Sequence, residues 1–255
     1  MGFRYLNQVA SADHIKEFLE LADLAAGAGE DAGNVFELSR RLEGNPMTRC
    51  LRILQRDPEA AALIQSRKLC GPYDAAALKG LPKGSLGHTY ATVIEAMGYD
   101  IGFYPDPAFY NNLKSDADYV NYRVYATHDI HHILSGYSLD NFGETGVISI
   151  NIGQFSFPGF SFINLIELML GFFGTSKADE DFATDEEYAG SIGYTFDLIT
   201  QGITMGIKAK PLFPVIWEER MEQNLEELRS ELGIEPVREG PYSWASNPTI
   251  RAALA

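Results

Sequence analysis

Three of the five histidines in the chain lie within five residues, at His128, His131 and His132. On a helix, with about 100° per residue, His128 and His132 lie one turn apart on one face, which lets two imidazoles bind one metal ion. Asp129 could join them as a ligand or orient an imidazole from outside the ligand shell. His131 points to the other side of His128 and is a weaker candidate. The spacing predicts a metal-binding cluster; a buried polar patch is the alternative.

A fourth candidate ligand follows this helix. The turn-rich segment 135–143 could bring Glu144 back toward the histidine pair. Two imidazoles and two carboxylates would form a mixed nitrogen and oxygen site with room for water or substrate. Such a site suits Zn²⁺, Fe²⁺, Co²⁺ or Mn²⁺ better than a thiolate-selective metal. The candidate metal-binding and catalytic residues are therefore His128, Asp129, His132 and Glu144.

Other metalloprotein classes fit the sequence less well. The chain has no Glu-x-x-His, which argues against a di-iron carboxylate bundle, and no His-Glu-x-x-His, so the general base of a zincin peptidase is missing. The His-Asp dipeptide also occurs in a class of phosphohydrolases, but no second matching set of ligands is present.

The elements that must position these residues are helical. Most segments of useful length repeat apolar residues with the 3.6-residue period. A stripe of apolar residues between Trp217 and Leu232 predicts a helix that forms either core or a homodimer interface. Val147–Ile152 is the one candidate strand. We predict an all-α, single multi-helix domain over residues 1–255, with helices over Ser11–Leu24, from Asn45, from Asp57, over Ser85–Met97 and over about Asp116–Ser135.

Two stretches raise the question of a membrane or a lipid. Between Glu144 and Lys177 the only charged residue is Glu167, but polar residues and a proline divide this tract into pieces shorter than the roughly 20 apolar residues of a membrane span. It predicts either a buried core with an apolar lipid tunnel or groove, or a peripheral membrane surface. The glycines within 192–207 favour tight helix packing, with a thin apolar ligand as the alternative.

Composition excludes several function classes. The net charge of −15 lies wholly after residue 83, because residues 1–83 hold 11 basic and 11 acidic residues. Without a basic stripe, we expect no nucleic-acid partner and no charge-driven docking on anionic lipid. Cys50 and Cys70 are expected to be buried free thiols. The N-terminal residues show no secretory signal and no transit peptide, so we expect a cytoplasmic protein that could lie peripherally on a membrane.

The set His128-Asp129-x-x-His132, eleven residues, then Glu144 resembles the signature of the fourth coenzyme Q (ubiquinone) biosynthesis protein family, as a bacterial-type homologue. The similarity covers about residues 45–235 and leaves residues 1–31, a predicted N-terminal helical extension, without a clear counterpart. The segment 99–114 also departs from the family pattern. Further blocks appear in family order: Arg56-Asp57-Pro58-Glu59, Leu81-Pro82-x-Gly84-Ser85-Leu86-Gly87-x-x-Tyr90, Tyr119-Val120-x-x-Arg123, Gly171-Phe172-Phe173-Gly174 and Trp217 through Ile234 as the family's last helix.

The resemblance implies an all-helical fold and a divalent metal, zinc first and Fe, Co, Mn or Mg as alternatives, on the four candidate residues. It also implies that the protein lies peripherally on a membrane and acts together with other quinone-biosynthesis proteins. The implied reaction is decarboxylation, or oxidative decarboxylation, at C1 of a polyprenylated 4-hydroxybenzoate ring, whose isoprenoid tail would account for the uncharged tract. The alternative is a non-catalytic prenyl-lipid-binding scaffold, and a third hypothesis is a metal phosphohydrolase of prenyl phosphates.

Overall fold

The computed structural model describes residues 5, 8, 10–27, 32–99, 101, 113–173 and 185–255. Over these residues the chain is all-α, as the sequence predicts, and β-type pairing is limited to isolated bridges. Short 3-10 helices cover Trp217–Glu219 and Trp244–Ser246. The α-helices are α1 (Ala12–Ala26), α2 (Ala32–Arg41), α3 (Asn45–Leu54), α4 (Pro58–Ser66), α5 (Ala75–Lys79), α6 (Leu86–Ala96), α7 (Asp116–Ala126), α8 (His128–Ser135), α9 (Asn141–Phe155), α10 (Pro158–Phe173), α11 (Asp185–Lys208), α12 (Leu225–Leu232) and α13 (Pro248–Leu254).

Helix starts follow the capping residues visible in the sequence. The side chains of Ser11, Asp57 and Ser85 accept hydrogen bonds from backbone N–H groups in the first turns of α1, α4 and α6. Each cap satisfies a donor that the helix itself cannot pair. These local signals placed the starts of the predicted helices correctly.

The predicted strand over Val147–Ile152 is wrong, because these residues lie inside α9. The side chains of Val147, Ile148 and Ile150 are all buried, although they point to different sides of the helix. A helix enclosed by neighbours on several sides loses the one-sided apolar pattern on which the sequence prediction rests. Packing then outweighs the strand preference of β-branched residues.

The predicted continuous helix over Asp116–Ser135 is divided into α7 and α8 at Thr127. This residue has φ −108° and ψ −1°, and its hydroxyl donates to the Arg123 carbonyl at 2.9 Å. A buried threonine that bonds back to its own helix competes with the regular hydrogen-bond pattern. The break makes His128 the first residue of a separate short helix.

The apolar stripe between Trp217 and Leu232 is not one helix either. It spans the 3-10 turn Trp217–Glu219 and the shorter α12, which starts after its cap Asn224. All five stripe residues are buried within the chain, which assigns the stripe to the core: Trp217, Met221, Leu225, Leu228 and Leu232. The homodimer remains a prediction. Because the stripe is buried within the chain, it does not form the interface of such a dimer.

Glycines allow α9 and α11 to pack with their backbones in contact. A Cβ added at Gly202 would overlap the carbonyl oxygen of Gly146, and one added at Gly206 would overlap that of Ile150. This confirms tight packing as the role of Gly202 and Gly206 and leaves no room for a ligand between the two backbones at these points. The lipid tunnel itself remains a prediction.

The uncharged tract folds as two helices rather than as one span. Ser156, with φ +54°, ends α9, and α10 begins at Pro158. Among the described residues, no helix is both long and apolar enough to cross a membrane. A small apolar cluster joins α10 to α1 and α2, with Phe18 and Phe162 in edge-to-face contact at 5.7 Å. The boundaries of the predicted N-terminal extension and the 45–235 core remain predictions.

Candidate metal centre

Buried side chains hold the C-terminal end of α8 in place. The guanidinium of Arg229 donates to the carbonyls of Ile133 and Leu134 at 2.6 and 2.9 Å, and the Trp244 indole N–H donates to the His132 carbonyl at 3.0 Å. The last carbonyls of a helix have no partner within it, so the two Arg229 bonds satisfy groups that would otherwise be buried unpaired. The Trp244 bond adds to the one that the His132 carbonyl accepts from the Gly136 N–H at 2.9 Å. The helix that carries both histidines is thereby fixed to the C-terminal part of the chain.

A tight connection returns the chain from α8 to the histidines. Gly136 ends α8 at φ +82°, and a Cβ there would overlap the Val237 carbonyl oxygen, so only glycine fits. Asp140 then caps α9, its side chain accepting from the Gly143 N–H at 2.9 Å. Glu144 therefore lies in the first turn of α9, beside α8.

Three candidate ligands converge at this point. The Nε2 atoms of His128 and His132 lie 3.2 Å apart, and they lie 2.7 and 3.0 Å from the two carboxylate oxygens of Glu144. One ligand atom from each residue falls within 4.8 Å of the others, a grouping that could hold a metal ion. The His132 side chain is 1% exposed and that of His128 15%, whereas Glu144 is 40% exposed, so the cluster opens to the surface on the glutamate side.

The hydrogen bond of the Nδ1 atom of His132 determines which nitrogen of that ring is available to bind a metal. Its Nδ1 lies 3.2 Å from the Tyr137 carbonyl oxygen. Because a carbonyl only accepts, Nδ1 carries a proton, so in the neutral ring Nε2, the atom that faces His128 and Glu144, is the nitrogen available to bind a metal. Orientation of a ligating histidine by a backbone carbonyl is the usual arrangement in metal sites. The residues present therefore fit a divalent metal with nitrogen and oxygen ligands.

The charges of the cluster favour the same conclusion. Burial opposes protonation of His132, yet the neighbouring Glu144 carboxylate outweighs burial and raises the pKa of His132. Burial alone would raise the pKa of Glu144, and the two imidazoles reverse this and hold its pKa well below the usual range. An ionised carboxylate facing two imidazoles attracts positive charge, which protons or a metal ion can supply.

Asp129 is not part of this converging group in the structure. Its carboxylate is outside the set of ligand atoms that lie close together, although burial raises its pKa and the charges of His128 and His132 act on it. The role of Asp129 as a fourth ligand or as an orienting group remains a prediction. His128 Nδ1, the atom that such a group would contact, is buried without a hydrogen-bond partner.

His131 faces away from the cluster, which agrees with the sequence-based view of this residue as the weaker candidate ligand. Its ring packs against Trp217 at 5.9 Å, and neither ring nitrogen has a hydrogen-bond partner. Burial, followed by the charges of His128 and His132, lowers the pKa of His131 to about 3, so the ring is neutral. We assign His131 to the core.

Helix α10 supplies neighbours of the site that the sequence analysis did not assign to it. Phe160 lies against His128, with ring centroids 5.7 Å apart. Two turns later, Glu167 accepts a hydrogen bond at 2.6 Å from Thr145, the residue that follows Glu144. The available signal was the presence of a single charged residue in the otherwise uncharged tract.

Glu167 is expected to make stability depend on pH. Burial, followed by the nearby Glu144 charge and against the Thr145 hydrogen bond, raises the pKa of Glu167 from 4.5 to about 7. Its stabilising contribution is thus complete below pH 4.5 and is lost as the pH rises through 7. We expect the wild type to lose roughly 1–3 kcal/mol of unfolding free energy between pH 5 and pH 8 relative to Glu167→Gln.

Urea unfolding of metal-free protein at each pH unit from 5 to 8 measures this difference. The exposed Glu222→Gln variant is the matched control and should keep the wild-type pH profile. Parallel profiles for the wild type and Glu167→Gln would show that Glu167 is not desolvated in solution.

The clefts found elsewhere do not include the cluster. One, of about 250 Å³, lies between Lys83, Asn224 and Trp244, and another, of about 270 Å³, lies between Tyr137, Thr204 and Pro236. The segment 99–114, which departs from the family pattern, lies mostly outside the described residues, as do Gly174 and residues 175–184.

Fold and site together define an all-α protein with a His/His/Glu cluster able to hold a metal. Residues 18–238 match the family model described as coenzyme Q (ubiquinone) biosynthesis protein Coq4. The chain belongs to the Coq4 family.

Curated relatives agree with this assignment, and a solved structure agrees with the fold. The ubiquinone biosynthesis protein coq4, mitochondrial, of Aspergillus fumigatus is 31% identical over 222 residues, and that of Talaromyces marneffei is 29% identical over 219. These matches cover 84% of this chain and 66% of each relative, so the chain spans slightly less than two thirds of their length. A crystal structure from Nostoc punctiforme PCC 73102, 21% identical, covers 86% of this chain and 97% of its own with a TM-score of 0.68, which supports the fold.

Proposed function

We propose that this protein acts in ubiquinone or prenylquinone biosynthesis by removing the C1 carboxyl group of a polyprenylated 4-hydroxybenzoate ring in a metal-dependent reaction. The observation that supports this most directly is the convergence of His128, His132 and Glu144 at a partly exposed point. Membership of the Coq4 family supplies the biosynthetic setting. The ring, its prenyl tail and the reaction are parts of the proposal.

The two imidazoles and the Glu144 carboxylate would hold the metal, with Asp129 as a fourth ligand or as an orienting group. Zinc is the first candidate for this ligand set, with Fe, Co, Mn or Mg as alternatives. When bound, a divalent metal supplies a positive charge that polarises the oxygens of the ring carboxylate. The Tyr137 carbonyl keeps His132 in the tautomer that this requires.

The remaining steps concern the protein and the ring. Phe160 packs on the imidazole of His128 and shields that side of the cluster from water. C1 first takes up a proton while the 4-hydroxyl group releases its own, so that the ring becomes a cyclohexadienone. The bond between C1 and its carboxyl group then breaks, CO₂ leaves, and the electron pair of that bond flows toward the dienone oxygen and restores the aromatic phenol. In the oxidative form, C1 gains a hydroxyl group, with O₂ and water as co-substrates and hydrogen peroxide as the reduced product.

Removal of the metal is expected to stop the reaction. Dialysis against a chelator should lower CO₂ release from a ¹⁴C-carboxyl-labelled prenylated 4-hydroxybenzoate by at least about 100-fold, because two imidazoles and a carboxylate without their ion no longer bind the ring carboxylate. Readdition of Zn²⁺, Fe²⁺, Co²⁺ or Mn²⁺ one at a time should restore turnover with the native ion. Unchanged turnover in metal-free protein would refute the metal-dependent reaction.

Exposed apolar side chains on α10 and α11 are the candidate contacts for the tail and for a membrane surface. Leu165 is 50% exposed and Phe196 55%, both on helices next to the site helix α9. Peripheral membrane attachment through these helices, a cytoplasmic location and work beside other quinone-biosynthesis proteins belong to the same proposal. The curated relatives cited above carry mitochondrial names.

The second candidate function is a non-catalytic scaffold that binds prenyl lipids and organises a quinone-biosynthesis enzyme complex. The exposed apolar residues on α10 and α11 favour it, since a lipid carrier needs this surface and no reactive centre. A purified protein that carries long-chain isoprenoid yet never consumes substrate would support it. Mass spectrometry of co-purifying metal and lipid separates the two functions.

A further inference from the structure

A short polar network joins α9 to α10 beside the metal-binding cluster. Thr145 Oγ1 donates to Glu167 Oε2 at 2.6 Å, and Asn164 Nδ2 donates to Ser149 Oγ at 2.8 Å. Thr145, Ser149 and Asn164 are buried, in helices that are otherwise largely apolar. Burying so many polar groups in an apolar contact is costly unless their hydrogen-bonding capacity is used.

The direction of each hydrogen bond in this network is fixed. The Ser149 hydroxyl donates its only proton to the Thr145 carbonyl at 2.7 Å, so its oxygen can only accept from Asn164. The amide of Asn164 must therefore present its NH₂ group to Ser149, which settles the orientation of the amide. Likewise, the Thr145 hydroxyl uses its proton on Glu167.

Two acceptors remain unused on α10. Asn164 Oδ1 is buried without a hydrogen-bond partner, and the Glu167 carboxyl has a second oxygen, Oε1, for which no partner is found among the described residues. Residues three apart on a helix have Cβ atoms about 5–6 Å apart, so one group can approach both acceptors. The buried Asn164 Oδ1 requires a donor, and an O–H group that supplies it lies within reach of Glu167 Oε1.

The unused acceptors share a helix face with a residue that contacts the cluster. Phe160, which packs on His128, lies one turn before Asn164 and two turns before Glu167. Across the contact, Glu167 bonds the residue that follows Glu144. The polar pair is thus placed on the wall that α10 forms beside the candidate metal centre.

We propose that Asn164 and Glu167 form an acceptor site for a ring hydroxyl group and select ligands that carry an O–H donor there. This inference rests on the proposed function, in which the hydroxyl and the carboxyl group lie at opposite ends of one aromatic ring. The carboxyl group at the His128/His132/Glu144 cluster and the hydroxyl at α10 would fix the ring by both ends. Asn164 and Glu167 are then specificity-determining residues.

Binding of two probes tests this by isothermal titration calorimetry at pH 8. The probes are 3-geranyl-4-hydroxybenzoate and its 4-methoxy analogue, which lacks the O–H donor. The wild type should bind the hydroxy probe about tenfold more tightly, because the methoxy probe leaves the buried Asn164 Oδ1 unpaired and cannot donate to Glu167. Asn164→Leu and Glu167→Leu should bring this ratio close to one.

Ser161→Ala is the matched control, since Ser161 is an exposed polar residue of the same helix and should leave the ratio unchanged. A merely structural role of the pair would weaken binding of both probes alike and preserve the ratio, and thermal unfolding with metal analysis identifies a damaged fold. A ratio that is equal in the wild type and both leucine variants would overturn the inference, as would a wild type that binds neither probe.

The same samples separate this inference from the proposed reaction. One outcome is that the ratio of the affinities for the hydroxy and methoxy probes depends on Asn164 and Glu167 in a protein that releases no CO₂. This result would support the hydroxyl site and refute the decarboxylation. Release of CO₂ together with a ratio insensitive to both residues would support the reaction and overturn the hydroxyl site.

Discussion

His132→Ala is expected to lower the affinity for Co²⁺ or Zn²⁺ by more than about 100-fold and to abolish CO₂ release. Loss of groups outside the ligand shell typically costs 10–100-fold, and His132 is a proposed ligand. Its Nε2 atom lies 3.0 Å from a Glu144 oxygen and 3.2 Å from His128 Nε2, so its removal leaves two of the three converging groups. Metal content after dialysis and Co²⁺ titration by absorption measure the effect.

Two further variants distinguish a loss of metal binding from a loss of the folded structure. His132 is fully buried, and its replacement also removes the bond to the Tyr137 carbonyl, so Glu144→Gln, an isosteric change at a partly exposed residue, provides an independent test. The exposed His14→Ala on α1 is the matched histidine control and should retain metal and activity. Wild-type metal content in a folded His132→Ala protein would contradict the assigned centre.

The same variant separates the two proposed functions. If His132→Ala retains isoprenoid binding and complex assembly but forms no product, the enzyme is supported. If the wild type itself binds lipid and assembles the complex without ever consuming substrate, the scaffold is supported.

Gly202→Ala is expected to have the largest effect on stability, with a loss of about 3 kcal/mol or more. The new Cβ would overlap the carbonyl oxygen of Gly146 and lie 2.6 Å from the Ser149 Cβ, so α9 and α11 would have to separate. Overpacking of a close contact typically costs 1–3 kcal/mol, and here backbone rather than a flexible side chain must move. For a chain of this size the melting temperature should fall by about 6–12 °C.

Gly193→Ala, in the same helix, is the matched control. No described atom lies within 4 Å of the position of its Cβ, and Gly193 is exposed. The substitution should stabilise the protein by roughly 0.5–1 kcal/mol, because alanine has the higher helix propensity. Thermal unfolding followed by circular dichroism measures both variants. Destabilisation of similar size in both would show that helix propensity, not backbone contact, explains the glycines.

Local signals predicted much of the fold. Caps such as Ser11, Asp57 and Ser85 are read directly from the sequence, because a cap depends on residues within one turn. The errors fall where distant parts of the chain decide the local conformation. Thr127 interrupts a helix whose apolar period continues across it, and Val147–Ile152 is enclosed on several sides.

The sequence by itself determined the all-α class, the family and the pairing of His128 with His132, since a spacing of four residues on a helix fixes which side chains share a face. Only the tertiary structure decided that Glu144 closes the cluster while the Asp129 carboxylate lies outside it, because that depends on how α9 returns beside α8. It also brought Glu167 to Thr145 through the contact between α9 and α10. Spacing along the chain carries no information about such contacts between helices, which are set by packing.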